Sequence, residues 1–216
     1  MNSTTTQTVV HKITHTSKSG SNRISTKRMV MLALLSALAY SLMLIHLPFK
    51  YLGFLELEFS DVPAVIASLV YGPGAGIMVE FIKNLIKAVT ATTTGCVGEM
   101  ANFLTGACFV GPLGLVFHRC HKKWKTAGAF LLANTGFIIA GILVNYFITV
   151  PLYATLFGGM EAVIGVASAT VPAVKDLATV VILGITPFNV VKGALVSVTG
   201  YMVFKAVRNV LQNESR

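Results

Sequence analysis

The chain has 216 residues, 54% of them hydrophobic and only 12% charged, and its mean hydropathy is +0.74. That is about half the charged fraction usual in globular domains, too little to cover a soluble surface, so composition argues for a polytopic membrane protein. The net charge of +9 sits at the edges of apolar runs rather than on one solvated face, as membrane topology requires and nucleic-acid binding does not.

Residues 1–27 are rich in Thr, Ser and Lys and have no apolar core, so they read as a disordered cytoplasmic tail and not as a secretory signal peptide. The first apolar segment covers 29–47. In the connector 48–60, Glu56 and Glu58 alternate with Leu55, Leu57 and Phe59, a strand-like period of two. A short second segment, 61–71, starts at Asp61 as a candidate N-cap with Pro63 in its first turn. The glycine-rich stretch 72–76 reads as a turn into a third segment, 77–89. A polar turn at 91–95 leads to the fourth, 97–117, and a basic loop at 118–125 leads to the fifth, 126–150, closed by Pro151. After a less apolar region, 152–183, a sixth segment runs over 184–207, and 209–216 forms a polar cytoplasmic tail.

Charge placement tests this count. With six spans, Lys12, Lys18, Arg23, Lys27, Arg28, Arg119, Lys122, Lys123, Lys125, Lys205, Arg208 and Arg216 share one side. The other side holds Lys50 and Lys175 with Glu56, Glu58, Asp61, Glu161 and Asp176. This asymmetry predicts an all-α integral membrane protein with six transmembrane helices over 28–208 and both termini cytoplasmic.

Three cysteines, Cys96, Cys108 and Cys120, form no CxxC pair and no disulfide framework. The cluster His118, Arg119, Cys120 and His121 lies in a basic turn with no acidic partner and reads as a loop, so no metal is expected. GxxxxGK[ST], HExxH and GxSxG motifs are absent, which leaves no signature of an ATPase, metalloprotease or serine hydrolase.

Ionisable groups inside apolar segments carry the functional hypotheses. Glu80, Lys83 and Lys87 share a helix face, with Glu80 placed to neutralise Lys83 and Lys87 able to snorkel to the interface. Glu99 and Asn102, three apart, suit either ligand binding or capping of a neighbouring helix. Asn189 and Lys192 are the strongest pair: an amide and an ammonium on one face beside Phe188 suit a planar, hydrogen-bonding, partly aromatic molecule. The competing reading pairs Lys192 with Glu99 or Asp176 as architecture. Asn145 and Tyr146 lie at comparable depth, and Phe54, Phe59, Tyr146 and Phe188 are candidate walls. Ala33, Ser36 and Ala37 form a small-residue stripe that serves internal packing as well as a partner.

Residues 55–76 (LELEFSDVPAVIASLVYGPGAG), 80–87 (EFIKNLIK) and 95–104 (GCVGEMANFL) resemble the substrate-binding S components of energy-coupling factor (ECF) vitamin transporters. The pair at 145–146 and the run 187–193 (PFNVVKG) are most similar to the riboflavin-specific branch. The resemblance implies a non-enzymatic transport subunit in a prokaryotic cell membrane. Such a subunit binds riboflavin as transported ligand rather than cofactor, and docks on a membrane scaffold (T) subunit carrying two ATPases. It implies that Ala33 and Ala37 match the family's AxxxA docking pattern, with Ser36 beside them. It also implies that Asn189 and Lys192 contact the isoalloxazine ring and that Asn145 is a further polar contact, and it carries over less closely to Glu56, Asp61, Glu99 and Asn102. An S component for another vitamin, an intramembrane lipid enzyme and a ligand-free scaffold are the alternatives. The lipid enzyme lacks acidic or histidine clusters on the cytoplasmic side, and the scaffold leaves Asn189 and Lys192 without a purpose.

Overall fold

A computed structural model describes residues 25–45, 51–120 and 125–214. The expected tail before residue 25, with His46, Lys50 and His121 to Lys123, lies outside the described residues. The elements are helical: α1 (Thr26–Met43), α2 (Val62–Tyr71), α3 (Pro73–Thr90), α4 (Val97–Arg119), α5 (Lys125–Val144), α6 (Val150–Leu156), α7 (Met160–Thr170), α8 (Leu177–Thr179) and α9 (Thr186–Glu214). The chain is thus an all-helical membrane protein. Among the described residues, four helical stretches are long and apolar enough to cross a bilayer: Thr26–Met43, Val97–Arg119, Thr126–Leu156 and Leu177–Ala206.

Helix α2 occupies the centre. Every residue from Val62 to Leu69 is buried, and α1, α3, α4 and α9 pack around it. Outward-facing side chains of the surrounding helices are large and apolar, among them Leu34, Leu38, Leu131 and Ile139, as a lipid-facing surface requires.

The local boundaries differ from the sequence expectation in five places, the fifth at Pro151. The 72–76 stretch is not a turn. Only Gly72 leaves helical geometry, at φ 95°, a value an L-residue resists, and Pro73 begins α3 at once. Asp61 makes no capping bond, because its carboxylate is drawn to buried lysines. The acidic connector is not a strand. Tyr51 and Leu55 form one isolated antiparallel bridge around Leu52 and Gly53, both at positive φ. And α9 continues to Glu214, through most of the expected polar tail.

Pro151 does not end the fifth segment. Residues Asn145–Thr149 form a π turn in which Val150 N–H reaches Asn145 O, and the helix resumes to Leu156. Val180–Ile185 repeats the device before Pro187, with Thr186 N–H on Val181 O. In both, the proline lacks the N–H that a continuous α ladder would use, and a widened turn accommodates the loss. Asp176 begins the second of these stretches with a capping box, its carboxylate accepting from Thr179 N–H at 2.8 Å. That backbone bond, with the Thr179 hydroxyl, holds the Asp176 carboxyl below its usual range.

Candidate functional site

A cavity of about 300 Å³ opens between the 51–60 connector, α4, the π turn after α5, α6 and the start of α9. Phe54, Tyr153, Phe157 and Phe188 give it aromatic walls, and Glu58, Glu99, Asn102, Asn145, Asn189 and Lys192 supply polar groups. The connector is braced against the helices by rings. Tyr51 stacks on Phe188 at 5.7 Å with planes 8° apart, and Phe54 meets Tyr153 edge-on at 5.3 Å.

Beneath the cavity, and reaching its wall at Glu58, Asn102 and Lys192, lies a buried ionic network. Lys83 is fully buried, pairs with Asp61, lies 2.9 Å from Glu80 Oε2 and donates to Ser60 Oγ at 2.9 Å. Lys192 Nζ lies 3.3 Å from Asp61 Oδ2 and 3.7 Å from Glu58 Oε1, and donates to Asn102 Oδ1 at 3.1 Å. Asn102 in turn donates to Glu58 Oε1 at 3.0 Å and to Asn84 Oδ1 at 3.3 Å. Isolated charges at this depth cost several kcal/mol each; mutual pairing is what makes two buried lysines tolerable. Gly106 makes room for the network: a Cβ there would sit 2.6 Å from Glu80 Oε2.

The structure brings Asn189, Lys192, Asn145, Phe188, Glu99 and Asn102 together around the cavity. Asp61 is not among the lining residues. It lies below them, held by both lysines. Tyr146 is also absent from the lining: Asn145 and Thr149 are buried and line the cavity, while Tyr146 and Phe147, on the other side of the same turn, are exposed. Phe59 is exposed and forms no wall. The architectural partners weighed for Lys192 are both engaged elsewhere: Glu99 accepts from Thr92 and Thr94 hydroxyls at 3.1 Å each, and Asp176 caps α8. Lys87 does not snorkel; it is buried, 4.0 Å from Glu56. The small-residue stripe divides between the two readings: Ser36 is buried with its hydroxyl on Leu32 O at 2.8 Å, while Ala33 and Ala37 are on the surface.

Asn145 spends its Nδ2 on Gly141 O at 2.7 Å, which leaves its carbonyl oxygen for the cavity. Asn189 makes no side-chain hydrogen bond among the described residues, although it is buried. Glu58 and Tyr153 are lining residues that the sequence alone does not single out. The LELEF alternation is the available signal for Glu58, since it places Glu56 and Glu58 on one side of the connector.

A membrane-embedded helical protein with a partly aromatic cavity and a few fixed polar groups has the features of a small-molecule binding site. The family model for the substrate-specific component of ECF transporters matches residues 27–204, and the chain belongs to that family. It is 36% identical to "Riboflavin transporter FmnP" of Bacillus subtilis (strain 168), over 82% of this chain and 90% of that one. It is 32% identical to "Riboflavin transporter RibU" of Staphylococcus aureus (strain TCH60), over 88% and 95%. A solved S component of a bacterial ECF transporter matches with TM-score 0.68 and 29% identity, covering 88% of this chain and 99% of the other.

Proposed function

We propose that the protein is the riboflavin-binding S component of an ECF transporter, capturing the vitamin from outside and delivering it inward with an ATP-driven coupling module. The observation that carries this reading is the cavity itself. Aromatic walls and clustered amide, ammonium and carboxylate groups match a flat apolar ring system with a hydrogen-bonding edge and a polyol tail. The names of the relatives support the same ligand.

In this reading Phe188 and Phe54 flank the ring. Asn189, Lys192, Asn145 and Asn102 meet its polar edge, and Glu99 lies toward the polyol. Asp61 acts from below by fixing Lys192. The chain crosses a prokaryotic cell membrane six times, with both termini cytoplasmic and 28–208 as the membrane domain; the placement of basic residues supports this orientation. The exposed Ala33 and Ala37 form the docking face for the scaffold subunit, whose two ATPases supply hydrolysis.

The test is titration of the purified chain in detergent with riboflavin, read by flavin fluorescence. Tight stoichiometric quenching is expected. A folded protein that leaves the fluorescence unchanged overturns the riboflavin assignment, and thiamine, folate, biotin and pantothenate are then screened.

A further inference from the structure

The buried charges beneath the cavity form a chain of alternating sign. Glu80 pairs with Lys83, Lys83 with Asp61, Asp61 with Lys192, and Lys192 with Glu58. Three carboxyl groups thus meet two ammonium groups, and with every group ionised the chain carries one surplus negative charge. Among the described residues the other buried lysine is Lys87, and it is taken by Glu56. Asp61, in the middle, has an ammonium on each oxygen and is ionised. The surplus therefore falls on the two ends. Both ends show it: Glu80 Oε1 and Glu58 Oε2 are buried with no hydrogen-bond partner among the described residues.

The ends are not equivalent. Glu58 lines the cavity, where water can solvate its charge, and its Oε1 accepts from Asn102 at 3.0 Å. Glu80 is fully buried and is not a lining residue. Lys83 faces it from its own helix, Asp61 from the entry to α2 and, beyond Asp61, Lys192 from α9. The Asn84 amide is 3.5 Å from Oε2, and α4 backs onto the carboxyl at Gly106. Lys83 is shared with Asp61, so it cannot neutralise Glu80 fully. An uncompensated charge in such a place costs far more than a neutral carboxyl group. No group of three possible metal ligands gathers among the described residues, so a metal ion has no ligand set there. We infer that Glu80 holds a proton at neutral pH. Oε2 then serves Lys83 as a carbonyl oxygen, Oε1 carries the hydroxyl, and the two lysines balance Asp61 and Glu58. The core of the membrane domain is electrically neutral in this state, which spares the subunit a net charge at bilayer depth. The inference does not depend on the identity of the transported ligand.

The experiment is infrared spectroscopy of the full chain in a maltoside detergent at neutral pH, with the glutamate carboxyl carbons isotopically labelled. The label separates glutamate bands from those of aspartate and of lipid esters, and a protonated carboxyl group absorbs apart from an ionised one. Folded wild type should show one protonated glutamate, lost in Glu80→Gln and kept in Glu58→Gln and Glu99→Gln, which replace the other buried glutamates among the described residues. Unfolding wild type in dodecyl sulfate with a pH indicator should release one proton more than unfolding Glu80→Gln, because a glutamate in an unfolded chain ionises near its ordinary value of about 4.3. Melting temperatures report whether each variant is folded. Should Glu80→Gln fail to fold, a wild-type band retained in both other variants still assigns the proton to Glu80. Absence of a protonated glutamate from folded wild type overturns the inference. So does a band that disappears in Glu58→Gln or Glu99→Gln, which puts the proton at the cavity.

Discussion

Asp61 and Lys192 are joined at 3.3 Å across the protein interior, while the other oxygen of Asp61 is held by Lys83. One carboxylate at the end of the connector therefore fixes an ammonium on α3 and another on α9. Asp61→Asn removes the shared counter-charge and leaves two buried lysines underneutralised. A destabilisation of about 3–5 kcal/mol is expected, read as a lower melting temperature and poor recovery of folded protein in detergent. An unchanged melting temperature would show that Glu80 and Glu58 suffice to hold both lysines.

Lys192→Ala acts on binding more than on insertion, since Asp61 retains Lys83. Riboflavin affinity should fall about a hundredfold, ~2.7 kcal/mol, and Asn189→Ala about tenfold, ~1.4 kcal/mol. Undiminished affinity in either folded variant removes that residue from the pocket.

Gly141 offers a way to move Asn189 without replacing it. A Cβ at position 141 would run into the Asn189 amide, tighter than any ordinary contact. Gly141→Ala should therefore turn Asn189 away and lower riboflavin affinity about tenfold, like the direct Asn189→Ala change. The measurement is the double variant: losses that do not add show that both act through the same amide.

Ala33→Phe and Ala37→Phe add bulk on an exposed face of α1. Riboflavin binding by the isolated subunit should be unchanged while uptake by cells carrying the whole transporter is abolished. Ser36→Phe, at a buried position one turn away, should instead destabilise the subunit itself. If the alanine variants lose binding as well, that face is internal packing.

Much of the architecture is legible in the sequence because it is local. The apolar runs, the Glu80–Lys83 pair at i,i+3 and the common face of Asn189 and Lys192 follow from helical periodicity alone. The partners of Lys192 are not legible: Glu58 and Asp61 lie more than 130 positions earlier, and no local rule connects them. Tyr146 departs from expectation for a different reason. Adjacent residues on a helix differ in direction by about 100°, so only one of the pair can face the cavity, and it is Asn145 and not Tyr146. Lys87 reads as interfacial because a long flexible stem permits snorkelling; Glu56, on the connector, gives it a reason to stay inside.

Helix α2 is ten residues long and sheathed by its neighbours, so no lipid tail touches its buried stretch from Val62 to Leu69. Bilayer thickness sets the length of helices that contact lipid; it places no such demand on one enclosed by protein. Its limits come from the diameter of the surrounding bundle and from residues small enough to let four helices approach, as Ala64, Ala67 and Ser68 do. In evolutionary terms α2 should vary in neither length nor volume, whereas the outer faces of α1 and α5 can exchange one bulky apolar residue for another at little cost.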